Sequence, residues 1–248
     1  MISKLYEDTS EAYVGCVKDV LCFPDFVSYP RGMEVRECLD YVFTIKNPSE
    51  DPIRTCDNER NETIVRYTEL EKRLYDSGTN LASDFAEASK FWKTIQNDDG
   101  TINSAYGYLI FKLADQGVAP NFVTPWEWCK QAILKDRDTR QAILRFNRDR
   151  HLHAGNKDVV CTMYGNFHAR DGKLYLSMHM RSNDLYFGLV YDLPWFCGLL
   201  LRMRDELEAS GLKLGIGTYT HHSDSMHAYS RNYDSLSKLS GLDLSTGR

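Results

Sequence analysis

The chain predicts an α+β fold, and three observations carry that expectation. Segments alternating apolar and polar residues in period 2 are interleaved with segments of helical period, without the regular strand–helix–strand rhythm of a doubly wound sheet. The 248 residues, 42% hydrophobic and 26% charged, suffice for one sizeable core. No internal repeat, low-complexity tract or linker divides them, so residues 1–248 read as one domain, with only the Ser/Gly-rich end "SKLSGLDLSTGR" resembling a tail.

The elements follow in order. "DTSEAYVGCVKDVLCF" sets Asp8, Thr9 and Ser10 before spaced apolar residues, the opening of a first helix. "EVRECLDYVFTIKNP" reads as a strand closed by Asn-Pro, and "ETIVRYTELEKRLYDSG" as a helix stopped at Gly78. "SDFAEASKFWKTI" places Phe85, Ala88, Trp92 and Ile95 on one helical face. Thr124, Pro125 and Glu127 form a capping box with proline at the first helical position. "RQAILRFN" and "KDVVCTMYGNFHA" predict strands, and "LPWFCGLLLRMRDELEASG" an apolar helix ending at Gly211.

Composition narrows the function. The formal charge of −5 argues against nucleic acid as the main partner. No apolar run approaches the roughly 20 residues that span a bilayer, and the first residues lack a signal-peptide layout, so the expected location is cytoplasmic. Seven irregularly spaced cysteines without C-x-x-C argue against zinc modules and disulfide scaffolds. Histidines in "HLH" at 151–153 and "THH" at 220–222 have no carboxylate or cysteine at ligand spacing; they read as surface or loop residues, and no metal is expected.

Leu174, Leu176, Met178 and Met180 alternate with polar partners, and Asp171-Gly172 before them signals a two-residue hairpin. Paired positions then sum to 343, which sets Cys161 opposite Ser182 and beside Arg181; a bulge shifts this by one. An arginine beside a cysteine favours the reactive thiolate, whereas a small buried strand cysteine is the plainer interpretation. Glu71, four residues after Tyr67 and three before Leu74, sits on the apolar stripe of its helix, where a carboxylate is either a border residue or a site group with a shifted pKa. Asp192 precedes Leu193-Pro194 and a long apolar helix, the pattern of an N-cap.

Taken together, Cys161, Arg181-Ser182-Asn183-Asp184, Gly188 and "SMHAYS" at 225–230 resemble the thymidylate synthase family, in particular its branch of phage-type deoxycytidylate hydroxymethylases. The likeness runs from "YPRGMEV" through "RYTELEKRLYDSG", "INSAYG" and "DTRQA" to "HAYSRN". It implies a mixed sheet with packed helices, one sheet face forming a homodimer interface. It also implies a catalytic set of Cys161 as the nucleophile on pyrimidine C6, Glu71 for proton relay, Tyr106 and Asp192. Arg31, Arg181 and Ser182 match the phosphate-binding positions, with Arg140 reaching in from the second subunit. Asn183, Asp192, His227 and Tyr229 match substrate positions, and Trp92, Asp184 and Gly188 face the folate.

The resemblance implies 5,10-methylenetetrahydrofolate as co-substrate, a pyrimidine nucleoside monophosphate (dCMP or CMP) as acceptor, a 5-hydroxymethyl product, and neither nucleic-acid nor membrane partners. Four departures from typical synthases stand out. The pair Arg140-Gln141 replaces two arginines, and Val160-Cys161-Thr162 replaces Pro-Cys-His. No C-terminal folate-closing segment is recognisable, and Asp192 stands where typical synthases carry asparagine. A carboxylate accepts from the cytosine amino group and from a protonated N3, whereas uracil O4 would face it badly. The alternatives are methylation of dUMP and a non-catalytic nucleotide-binding homologue.

Overall fold

Among the residues that the computed structural model describes, 2–113 and 123–243, eight strands form one mixed sheet. They are β1 (Ile2–Tyr6), β2 (Phe26–Ser28), β3 (Val35–Ile45), β4 (Ile143–Arg145), β5 (Thr162–Arg170), β6 (Lys173–Met180), β7 (Asn183–Asp184) and β8 (Gly215–Tyr229). The main order is β1-β3-β8-β6-β5-β4, with β2 on β3 and β7 on β8. β1–β3, β6–β8 and β7–β8 are parallel and the remaining pairs antiparallel. Helices α1 (Thr9–Cys22), α2 (Asn58–Ser77), α3 (Ala82–Phe85), α4 (Pro125–Lys135), α5 (Val190–Ala209) and α6 (Tyr233–Ser240) complete the α+β architecture.

Local chemistry sets most boundaries. The Asp8 carboxylate accepts from Glu11 N at the start of α1, and Gly78 ends α2 in the left-handed conformation at φ 69°. Thr124 accepts from Glu127 N at α4, and Asp171 and Gly172 both take positive φ in the β5–β6 hairpin. Side chains of one row, Phe43, His221, Met178 and Leu144, meet the helical layer and are buried, with Gly165 completing the row. The neighbouring row on the other face, Val42, His222, His179 and Tyr164, stays half-buried or exposed. All seven cysteines are free thiols. No helix among the described residues is long and apolar enough to cross a membrane.

Five expectations need correction. The helix over 83–95 breaks into α3 and a 3₁₀ turn at Lys90–Thr94, with Ser89 capping the turn through Phe91 N; serine competes with helix by bonding the backbone locally. The strands in 140–147 and 157–169 are shorter than their patterns, Ile143–Arg145 and Thr162–Arg170. The tail begins later than composition implies: Ser237–Ser240 close α6, and residues 244–248 lie outside the described set. His151 and His221 are buried rather than superficial, His221 stacked on Phe43 at 5.1 Å and bonded to Tyr219 Oη at 2.8 Å. The fifth concerns Asp192. It is no N-cap: α5 begins at Val190 behind a π-turn, Leu185–Leu189, so Asp192 is the third helical residue.

Candidate active site

Cys161 precedes β5. The hairpin keeps its register from Arg170↔Lys173 to Tyr164↔His179, then slips so that Thr162 pairs with Met180. The extra residue, Met163, is a bulge, and it moves Cys161 from opposite Ser182 to opposite Arg181, whose N–H donates to Cys161 O at 2.9 Å. The Arg181 guanidinium then wraps the cysteine turn: Nε donates to Val160 O at 3.1 Å, and Nη2 to Val159 O at 2.5 Å and to Cys161 Sγ at 3.5 Å. Burial still wins over this cation. It raises the Cys161 thiol above its ordinary range, Arg181 pulls it down, and Asp192, Asp158 and Asp184 raise it further. Arg181 thus favours the thiolate, as its place beside the cysteine implies, while burial opposes it.

A second loop is locked to this turn. Asn103 Nδ2 donates to Asn156 Oδ1 (3.1 Å) and Asp158 O (3.0 Å), and Ser104 donates through both N and Oγ to the Asp158 carboxylate. The interlock presents Tyr106, buried and stacked on Tyr75 at 5.5 Å. Burial raises the Tyr106 phenol well above its ordinary value, and the charges of Asp192 and Cys161 add to it, which places all three in one electrostatic neighbourhood. Gly107 makes the approach possible, since a Cβ there would lie 1.8 Å from Tyr75 O.

Glu71 comes from α2 and is buried, as its place on the apolar stripe implies. Burial, with the Asp192 charge second, pushes it up to about 8, while the hydroxyls of Tyr67 and Tyr75 pull back. Tyr67 Oη donates to Glu71 Oε1 and accepts from Trp92 Nε1, each at 3.3 Å, so Trp92 reaches the acid through one phenol. Asp192 accepts from Asn183 Nδ2 at 2.8 Å. Burial pushes Asp192 up to about 6, with Asn183 lowering and Asp184 raising it. Gly188 packs against this pair: a Cβ would lie 2.9 Å from Asn183 Nδ2 and 3.4 Å from Asp192 Oδ2.

At the rim, β7 aligns Asp184 with His227 of β8. Asp184 accepts from Tyr186 N at 2.9 Å, and burial raises its carboxyl against the pull of that bond and of His227. His227 is buried, and Tyr229, two residues on, accepts from Arg31 Nη2 at 3.3 Å. Arg31 holds φ at 53°, a left-handed conformation unusual for arginine. Ser182 is half-buried between Arg181 and Asn183. Arg140 does not join the cluster. It is exposed beside the hairpin end of β5, where Arg170 Nη2 bonds Asp138 O at 2.9 Å, whereas Cys161 precedes the other end of that nine-residue strand; the separation is roughly 30 Å at the rise of a strand.

The sequence reading missed Tyr67 as a bridge and Asp158 and Ser104 as the clasp. The signal for the clasp was available: a serine two residues before Tyr106 and an acid three before Cys161.

A cysteine, a tyrosine, a buried carboxylate and a half-buried one converging beside arginine-bearing loops define a site for covalent chemistry on a polar ring. The chain belongs to the thymidylate synthase family, whose model matches residues 63–240. It is 27% identical over 174 residues to deoxycytidylate 5-hydroxymethyltransferase of Enterobacteria phage T4, covering 67% of this chain and 68% of that protein. It is 26% identical over 251 residues to deoxyuridylate hydroxymethyltransferase of Bacillus phage SP01, covering 96% of this chain and 62% of that one. Among solved structures, thermostable thymidylate synthase A from Bacillus subtilis matches with a TM-score of 0.72 at 17% identity, covering 94% of this chain and 84% of that chain.

Proposed function

We propose that the chain transfers a one-carbon unit to C5 of a cytosine nucleoside monophosphate, dCMP or CMP, giving the 5-hydroxymethyl nucleotide. One observation carries this reading: Asp192, a half-buried carboxylate held by Asn183 Nδ2 at 2.8 Å, shares the site with the buried acid Glu71, and burial raises Glu71 to about 8 against about 6 for Asp192. Near pH 7 Glu71 is protonated and donates, whereas Asp192 is ionised and accepts. An ionised acceptor suits the cytosine amino group and a protonated N3. The names of the two phage relatives divide between cytosine and uracil acceptors, and the residue argued to read that edge is Asp192.

In this mechanism Cys161 Sγ loses its proton and bonds to C6, and the C5=C6 π electrons make C5 the nucleophile. Arg181 holds the cysteine turn and lowers the thiol within its buried setting. Among the described residues its Nη1 makes no hydrogen bond within the chain, which leaves it for a phosphate oxygen with Ser182 and Arg31. His227 and Tyr229 would hold the sugar hydroxyl. Asn183 orients Asp192, and Tyr67 orients Glu71, which passes protons and positions the water that becomes the hydroxyl. C5 loses its proton to that water network, water adds to the transferred carbon, and elimination of the Cys161 thiolate from C6 restores the ring double bond.

Methylenetetrahydrofolate, when bound, supplies the carbon as an electrophile and departs as tetrahydrofolate. The residues fit it: the Trp92 ring and the Asp184 carboxyl offer a stacking surface and an acceptor, while Gly188 lets its backbone pack against the Asn183–Asp192 pair without a clashing Cβ. The distance of Arg140 from its own Cys161 supports a homodimer in which Arg140 serves the neighbour's phosphate. Incubation with methylenetetrahydrofolate and dCMP, CMP or dUMP, followed by weighing the nucleotide, tests the proposal. A cytosine nucleotide heavier by CH₂O with tetrahydrofolate released is expected. A methylated uracil nucleotide with dihydrofolate, or no release of the C5 proton from any acceptor, refutes it.

A further inference from the structure

The sheet face away from the helices, the one the family resemblance assigns to a homodimer interface, carries a second group of chemistry-bearing side chains, none of which belongs to the Cys161 cluster. Parallel pairing of β6 with β8 sets His179 directly beside His222, the ring centroids 3.9 Å apart. Asp224 follows His222 by two residues and shares its face. The Asp224 Oδ1 lies 3.1 Å from His179 Nε2 and 3.9 Å from His222 Nε2. From β3, Asp40 Oδ1 approaches His222 Nε2 to 3.6 Å. That His222 nitrogen is shielded from solvent and makes no hydrogen bond among the described residues. The other nitrogen of His179, Nδ1, is 3.1 Å from Tyr164 Oη.

We propose that His179, His222 and Asp224 bind a divalent transition-metal ion of the zinc type. One donor atom from each lies within 4.8 Å of the other two. Tetrahedral zinc, with bonds of roughly 2.0–2.1 Å, separates its donors by about 3.3 Å, so the observed 3.1 and 3.9 Å need only small rotations of the rings. Two neutral imidazoles and one carboxylate suit Zn(II) or Co(II), and they are too few oxygens for calcium or magnesium. The Tyr164 hydroxyl holds the far side of the His179 ring, the kind of outer contact that fixes a ligating imidazole's orientation. Asp40 or water fills the fourth position. A bound ion would tie β6 to β8 across the centre of the sheet, and through Asp40 to β3.

Cation binding by the full chain tests this. After chelator treatment, Co(II) is titrated while its visible absorption is followed, and bound zinc is counted by elemental analysis after dialysis. Saturable uptake of one ion per chain is expected, with the intense absorption of four-coordinate cobalt and displacement by Zn(II). His179→Ala and His222→Ala should each abolish that absorption, and Tyr164→Phe should weaken binding by about tenfold. His179→Gln and His222→Gln keep ring-sized polar groups on the sheet and serve if the alanine variants fail to fold. Absence of stoichiometric uptake by the unaltered chain, or equal uptake by folded variants lacking either imidazole, overturns the site. Because the readout is metal content, the result is independent of the one-carbon chemistry.

Discussion

Replacing Asp192 by asparagine separates a specificity role from a structural one through two readouts. The carboxylate is raised from 3.8 to about 6 by burial. At 1.36 kcal/mol per tenfold change in acidity, keeping it ionised costs the folded state roughly 3 kcal/mol. The sign follows from linkage. Below about pH 4 the acid is neutral in both states and the cost vanishes; it grows as pH rises through 3.8 to 6, and is full above 6. Asparagine carries no charge and still offers an oxygen to Asn183 Nδ2. Asp192→Asn should therefore be more stable than the parent by up to roughly 3 kcal/mol at pH 7–8, about 6–12 °C in Tm for a chain of this size, with the gap closing toward pH 4. In the assay, kcat/KM for the cytosine nucleotide should fall by about 10⁴ while uracil nucleotide binding rises, because an amide donates to O4 and accepts from N3–H but does not neutralise a protonated cytosine. An unchanged nucleotide preference removes the reason for choosing cytosine, and an unchanged stability across this pH range refutes the burial argument.

Three further outcomes test the rest of the site. Glu71→Gln removes an acid raised from 4.5 to about 8. Parent stability should decline as pH rises between those values, the variant gaining up to roughly 5 kcal/mol above pH 8 and losing about 10²–10⁴ in kcat; denaturant melts across pH and single-turnover rates read both. Cys161→Ala and Arg140→Ala should each be inactive alone, yet an equal mixture should regain about a quarter of the sites after subunit exchange, since half the dimers are mixed and each holds one intact site. No recovery after confirmed exchange counts against sharing. Gly107→Ala keeps a helical φ of −60° but puts a Cβ 1.8 Å from Tyr75 O; thermal melts should show a loss of about 3 kcal/mol for the overpacking, the upper end of the range for cores.

What could be read from the chain follows the range over which each signal acts. The Asp8 cap, the Gly78 stop, the Thr124-Pro125 start and the Asp171-Gly172 turn are written within four residues, and all four stand. Glu71 was legible for the same reason, because i±4 neighbours on a helix declare which face a side chain occupies. The cysteine register was legible only to within one residue: Met163 bulges near the start of β5, and no local pattern says whether such a bulge is present. Asp192 was misplaced because Pro194 mimics a helix start. Here it is the fifth residue of α5, where its missing N–H forfeits a single early bond of the ladder, to Val190 O. The histidine pair shows the limit most sharply. His179 and His222 are 43 residues apart and meet only because two strands run parallel, while Asp224 at i+2 from His222 looks like no ligand spacing for a helix or a turn. A search along the chain finds donors that neighbour in sequence, whereas a sheet assembles its donors across strands, so the same arrangement that hid this cluster makes it dependent on the fold and absent from the unfolded chain.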